Sequence, residues 1–306
     1  MIRLAAISFL VTLPALASLT VTTRNSIEQI TGVKGVYFDG EDVHKISIPR
    51  ADVKVTVDRW PMQTFMGLTS WAAFTTGTDK EAMVMGDLVL FEDEVNPVMS
   101  AALENGLEVT ALHNHFFFDN PRVMFMHIAG QARGADLARG VRKCMDRIKE
   151  IRSATPVPAS QFTGVDIPPA SRITPEPLDK ILGVKGQLND GMYKAVIERH
   201  ARMHGREVGG QMGVNTWAAF AGTDDNAFVD GDFAMTTPEL QPVLKSLRAA
   251  GIYIVAIHNH MTHEEPQFVF LHFWGKGNAV KLAKALHAAM DKQAPNAATR
   301  IGHQAH

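Results

Sequence analysis

This 306-residue chain predicts an α+β fold built twice: two homologous repeats, each a mainly antiparallel sheet with two helices, related by a pseudo-two-fold axis. Three observations lead there. A histidine block occurs twice, as His113-Asn114-His115 followed by His127, and as His258-Asn259-His260 followed by His272. The residues before each block also match: Gly86-Asp87 with Gly231-Asp232, Trp71-Ala72-Ala73-Phe74 with Trp217-Ala218-Ala219-Phe220, and Gly32-Val33-Lys34-Gly35 with Gly183-Val184-Lys185-Gly186. Finally, strand-like, helix-like and hairpin-like patterns follow one another in the same order in both copies, which is the order of an α+β domain. Units of this length exceed solenoid repeats and fit the usual domain size.

The elements follow from local chemistry. After the Gly-Val-Lys-Gly turn, Val43 to Ile48 and Val53 to Val57 alternate apolar and polar residues, as half-buried strands do. The equivalent stretch of the second copy, Met192 to Gly210, has mixed propensities, and the repeat argues for strand there too. Trp71–Phe74 and Ala82–Phe91 flank Gly77-Thr78-Asp79, and their counterparts flank Gly222-Thr223-Asp224-Asp225; both read as hairpins. A helix then begins at Glu94-Val95-Asn96-Pro97 and at Glu239-Leu240-Gln241-Pro242. Acidic residues sit near its positive end and proline in its first turn, and Gly106 and Gly251 stop it. An apolar strand, Leu107–Leu112 or Ile252–Ile257, delivers the chain to the first histidine pair. A turn through Pro121 or Pro266 returns it along Val123–Ile128 or Phe268–Phe273, and a second helix closes the unit. The expected boundaries are a first repeat over 31–152, a proline-rich linker over 153–180, a second repeat over 181–292 and a frayed tail over 293–306 whose His303 and His306 are solvated.

Composition narrows the function classes. Thirty basic and 32 acidic residues are interspersed, for a net charge of −2, so no basic stripe argues for nucleic acid. Residues 1–17 differ from the rest. Arg3 precedes an apolar run from Leu4 to Leu13, and Ala15-Leu16-Ala17 supplies a small-x-small cleavage pattern. This reads as a secretory signal rather than a stable membrane span, and places the mature protein in the periplasm or outside the cell. The single cysteine, Cys144, cannot form an internal disulfide and reads as a small residue on a helix.

The histidines carry the chemistry. Six of the thirteen occupy matched places, and histidine is the commonest metal ligand. On a strand, His113 and His115 project together, as do His258 and His260. A hairpin centred near Asn120 or Glu265 would set His127 opposite His113 and His272 opposite His258, so that three imidazoles converge. A one-residue slip would break either site. Three imidazoles leave a fourth position for water, substrate or carboxylate, the arrangement of catalytic zinc sites. Asp119 and Glu264, each four residues after the second histidine of its pair, are the carboxylate candidates. The second copy, with His263, Glu264 and Glu265, is the more polar; the first sets its histidines beside Phe116, Phe117 and Phe118. A cupin reading of His258-x-His260-x-x-x-Glu264 conflicts with the helix before that strand, and the methionine pairs read as packing rather than copper ligands. A purely structural role for the histidines is the bland alternative.

The blocks MGLTSWAAF, LEVTALHNHFFFDNPRVMFMHIAG and IHNHMTHEEPQFVFLHFWG resemble the LppY/LpqO family of exported bacterial proteins, over roughly Thr31 to Met290. That resemblance implies export and this repeat, and implies no established activity. Members are often lipoproteins, whereas this chain lacks a lipobox cysteine. The resulting expectation is an exported protein holding a divalent metal, zinc by default, with copper, nickel or iron open. The metal ligands would be His258, His260, His272, His113, His115 and His127. Whether it is an enzyme stays open. If it is, Glu264 acting as general base suggests metal-assisted hydrolysis. The alternatives are an envelope protein binding a metal or small ligand between the repeats, and a scaffold.

Overall fold

The computed structural model describes residues 18–78 and 81–293. The signal-like segment, Asp79 of the first hairpin turn, and His303 and His306 lie outside the described residues. The first repeat runs α1 (Val21–Thr31), β1 (Gly35–Phe38), β2 (Val43–Pro49), β3 (Thr56–Val57), β4 (Trp60–Pro61), β5 (Thr69–Thr76), β6 (Ala82–Phe91), α2 (Glu92–Glu104), β7 (Glu108–His113), β8 (Asp119–Asn120), β9 (Val123–Ala132) and α3 (Gly134–Ala154). The second runs α4 (Pro175–Leu182), β10 (Gln187–Asn189), β11 (Met192–Glu198), β12 (Ala201–Met203), β13 (Arg206–Val208), β14 (Asn215–Gly222), β15 (Ala227–Thr236), α5 (Thr237–Ala249), β16 (Tyr253–His258), β17 (Glu264–Glu265), β18 (Phe268–Gly277) and α6 (Ala279–Met290).

The fold is α+β, with two repeats and antiparallel sheets as expected. Each repeat has three helices rather than two. The added ones are α1 and α4. α1 buries little beyond Ile27 and Thr31, so its periodic signal is weak, although Thr20 caps it by accepting from the Thr23 N–H at 3.1 Å. α4 lies in the stretch read as linker. Its Pro175 and Pro177 sit in the first turn, where a missing N–H costs nothing, so prolines that looked like breakers open a helix. The strand expected over Val53 to Val57 is confined to β3. Val53 and Val55 instead pack with Leu68, Phe91 and Phe125 in a small separate cluster. The strands expected over Val123–Ile128 and Phe268–Phe273 continue to Ala132 and Gly277.

Twelve strands form one sheet in the order β1-β2-β5-β6-β9-β7-β16-β18-β15-β14-β11-β10, a sequence of equivalent strands that reads the same from either edge. The repeats join at its centre, where β7 and β16 pair antiparallel with Leu112 opposite Ile257. Side-chain amides reinforce the joint from both sides. Asn96 of α2 exchanges two hydrogen bonds with the backbone of Ile254 (2.7 and 3.1 Å), and Gln241 of α5 does the same with Val109 (2.9 and 3.1 Å). Those backbone positions border the irregularities in β16 and β7, so each repeat satisfies polar groups that the other's bulge would leave unpaired.

Strand alternation divides the sheet's residues between two faces. Leu88, Leu90, Phe74 and Ile128, with Phe233, Met235, Phe220 and Phe273 in the second repeat, join buried helix residues in the main core. The alternate positions, including Asp87, His127, Asp232 and His272, face the other way. On that second face β4-β3-β8 and β13-β12-β17 make two small three-stranded sheets, each over its own apolar cluster.

Candidate metal centre

Six adjacent central strands present one histidine or aspartate each to the open face. In sheet order these are Asp87 on β6, His127 on β9, His113 on β7, His258 on β16, His272 on β18 and Asp232 on β15. His113 lies opposite Phe125 and His127 opposite Ala111; His258 lies opposite Phe270 and His272 opposite Ala256. The register thus differs by two residues from a direct His113–His127 or His258–His272 pairing. A shift of two keeps side chains on the same face, so the rings still meet. Centroids are 5.1 Å apart for His113–His127 and 4.8 Å for His258–His272. The second histidine of each pair lies beyond its strand and is held by ring stacking, His115 on Phe125 (3.3 Å) and His260 on Phe270 (3.5 Å). Each remains 5.1 Å from the first histidine of its pair.

The aspartates are the functional candidates that sequence reasoning passed over. Asp232 pairs across the sheet with His272, and Asp87 with His127. Their signal was the matched Gly-Asp dipeptide at 86–87 and 231–232, one strand away from the histidines. The glycine is required because a β-carbon at Gly231 would lie 2.3 Å from the Trp217 carbonyl oxygen and 2.2 Å from the Phe273 ring. Asp232, His258 and His272 each offer a ligand atom, and those atoms lie within 4.8 Å of one another. His260 joins them, with Nε2 3.0 Å from Asp232 Oδ2. Around a tetrahedral zinc with bonds near 2.0–2.1 Å, neighbouring ligand atoms stand roughly 3.3 Å apart, so His260 and Asp232 are already near that spacing while the three-residue group would contract by up to about 1.5 Å.

Hydrogen bonds orient the second-repeat imidazoles. A carbonyl can only accept, so His272 Nδ1–H donates to the Gly231 oxygen at 3.2 Å and His260 Nδ1–H to the Gly213 oxygen at 3.1 Å. His260 thereby turns Nε2 to Asp232, and His272, with Nδ1 engaged, offers Nε2 as its ligand atom, the arrangement in which a backbone partner sets a ligand's tautomer. His258 is neutral: burial, then the neighbouring His272 and His260, push its pKa down to about 4. Burial raises Asp232, with His272 and His260 pulling the other way. Asp232 Oδ1 and His258 Nδ1 are buried without a hydrogen-bond partner, an expensive condition that a coordinated cation would relieve.

The first repeat assembles the same residue types differently. His127 Nε2 and His113 Nε2 are 3.1 Å apart and share a proton between them. Burial lowers His115, while the Asp87 charge opposes that. Asp87 Oδ1 is also buried without a partner. Among the described residues, only the Asp232–His258–His272 group gathers three ligand-type residues this closely.

Asp119 and Glu264 are placed elsewhere. Asp119 Oδ2 accepts from the Val123 N–H at 2.6 Å, and Glu264 Oε1 from the Phe268 N–H at 3.0 Å. Each pins the turn leading into β9 or β18. β17 leaves the large sheet to pair with β12, Met203 opposite Glu264, so the carboxylate gathered with His258 and His272 is Asp232 rather than Glu264. Glu264 is nonetheless buried, and its Oε2 has no partner. Cys144 is buried on α3, and burial pushes its thiol up to about 12, so it is inert.

No curated protein matches the chain. A solved structure described as a trimeric bacterial microcompartment shell protein PduB aligns over 88% of this chain and 94% of its own, at 11% identity and a TM-score of 0.20, which is too low to bear on fold or function. A family model matches twice, over residues 25–147 and 176–292, spans that take in most of α1 and α4 as well as both histidine blocks. The chain therefore belongs, as a duplicated unit, to the family described as Domain of Unknown Function (DUF1259).

Proposed function

We propose that this is an exported metal-binding protein whose second repeat holds a divalent cation, zinc by default, through Asp232, His258 and His272, with His260 completing the set. One observation carries the reading. Three ligand-type groups from three adjacent strands converge within 4.8 Å, and two of their polar atoms are buried with no partner. Imidazole and carboxylate together suit zinc, and leave copper, nickel or iron as competitors. When bound, such a cation supplies Lewis acidity at the open face of the sheet. The chain's own contribution is to engage Nδ1 of His260 and of His272 with backbone carbonyls, which leaves Nε2 of each as the ligand atom, and to keep His258 neutral.

The test is elemental analysis of the purified protein and of His258→Ala and Asp232→Asn. Near-stoichiometric zinc in the parent, lost in both variants, is the expected result. A metal-free parent that takes up no added zinc would leave a scaffold role for the histidines. Export rests on the signal-like residues 1–17, and N-terminal sequencing of envelope protein should begin at or within a residue or two of Ser18. The palindromic strand order and the reciprocal amide contacts support a pseudo-two-fold axis through the Leu112–Ile257 joint, which an experimental structure with superposable repeats would test.

A further inference from the structure

The turn after the histidine pair differs between the repeats. His115 is followed by Phe116, Phe117 and Phe118, and His260 by Met261, Thr262 and His263. Phe117 and Phe118 are 79% and 83% exposed. Phe118 also has φ +59°, a left-handed conformation disfavoured for a bulky side chain, held by the Asp58 N–H donating to its carbonyl oxygen at 3.2 Å. His263, at the same place, is not among the positive-φ residues, so the fold does not need this backbone or these rings. Strain and exposed apolar surface at one residue point towards a ligand rather than towards stability.

Phe116, Phe117 and Phe118 line a cavity of about 580 Å³ between the repeats, where β7 and β16 diverge beyond their single pairing at Leu112 and Ile257. That size and position are typical of small-molecule sites. The chain between the repeats closes it over Ala159–Phe162: the Ala159 N–H donates to Asp93 Oδ2 at 3.1 Å, and Phe162 packs on Tyr253 with centroids 4.4 Å apart. Charges at the wall are balanced. Asp93 is paired with Arg152, and Glu92 faces Arg122 at 3.9 Å. Ser160, Gln161 and Asn114 supply neutral hydrogen-bonding groups.

We infer that this cavity binds an uncharged small molecule with an aromatic or aliphatic body and a hydrogen-bonding end, gripped by Phe117 and Phe118 and covered by Phe162. The inference goes beyond metal binding and does not depend on it. The two repeats then divide the work, the second presenting ligands for a cation and the first an apolar grip.

The probe is 1-N-phenylnaphthylamine, an uncharged aryl amine that fluoresces when removed from water, added to the full chain with and without prior chelator treatment. Saturable binding of one probe per chain is expected, unchanged by the chelator. Phe117→Thr combined with Phe118→His, the residues that the second repeat carries, should weaken it by roughly tenfold or more, and Phe162→Ala by a similar factor, as loss of aromatic contacts implies. Both variants should keep the parent's melting behaviour and its zinc content. Non-saturable uptake, or unchanged affinity in both variants, overturns the proposal. So does the finding that the rings serve only to hold the protein on phosphatidylethanolamine–phosphatidylglycerol vesicles. A parent that holds and takes up no zinc, yet binds the probe and loses it in the phenylalanine variants, would instead count against the metal reading alone.

Discussion

The two repeats share a scaffold and differ at one edge of it. Both bring three histidines and an aspartate to the open face of the sheet. In the second, Gly213 and Gly231 carbonyls engage Nδ1 of His260 and His272, leaving Nε2 of each as the ligand atom. In the first, His113 and His127 are bonded to each other, and three phenylalanines follow His115. Duplication preserved the strands that deliver ligands. The turn that follows each histidine pair diverged, as expected of loops, whose sequence is not tied to the core.

Substitutions at equivalent positions test that difference. The largest effect is expected on metal. His258→Ala or His272→Ala should weaken zinc binding at least about 100-fold, since losing a ligand exceeds the roughly 10–100-fold cost of losing a group that orients one. His113→Ala and His127→Ala should leave that occupancy intact. Competition titration with a zinc-sensitive dye separates the outcomes, and equal losses from both pairs would mean one site shared by the repeats.

The next effect is on stability. Gly231→Ala pushes a methyl to 2.2 Å from the Phe273 ring and 2.3 Å from a backbone oxygen, whereas Gly86→Ala meets its closest backbone neighbour at 2.7 Å. Denaturant melts should show a loss of about 3 kcal/mol for the first and about 1–2 kcal/mol for the second. The cross-repeat amides come third. Asn96 is buried and Gln241 only partly so, so Asn96→Ala should cost about 2 kcal/mol by leaving both polar groups of Ile254 unpaired. Gln241→Ala should cost about 1 kcal/mol, and a larger loss there would show that water does not reach Val109.

The smallest effect is on pH dependence in metal-free protein. His258 titrates at about 4 when folded and near 6.5 when unfolded, so in that window the unfolded chain binds more protons. Its contribution is complete above about pH 6.5 and declines as pH falls towards 4. The raised Asp232 acts in the opposite sense and blunts the acid limb of this curve. His258→Gln should flatten the melting temperature between those limits more than His115→Gln, because the Asp87 charge offsets burial at His115. Parallel curves for the two variants would contradict that account.

Much of this was present in the chain itself. The duplication, the antiparallel order, the turn glycines and the shared face of the six histidines follow from spacing and period alone, because a strand's side-chain alternation survives any even shift of register. That the offset is even depends on bulges after Val109 and Ile254, each of which moves the register by one residue; they rest on amides from the other repeat and are invisible locally. α4 was hidden by prolines whose place in its first turn is defined only once the helix exists. Asp87 and Asp232 escaped notice because their partners lie on the next strand in space, 40 residues on in sequence, and Glu264 stood out because its neighbours in sequence were histidines. Sequence determined which residues point the same way, since that is a property of the backbone repeat. Tertiary structure decided which of them meet, since strand order, register and the loops that orient each imidazole arise only when distant segments pack.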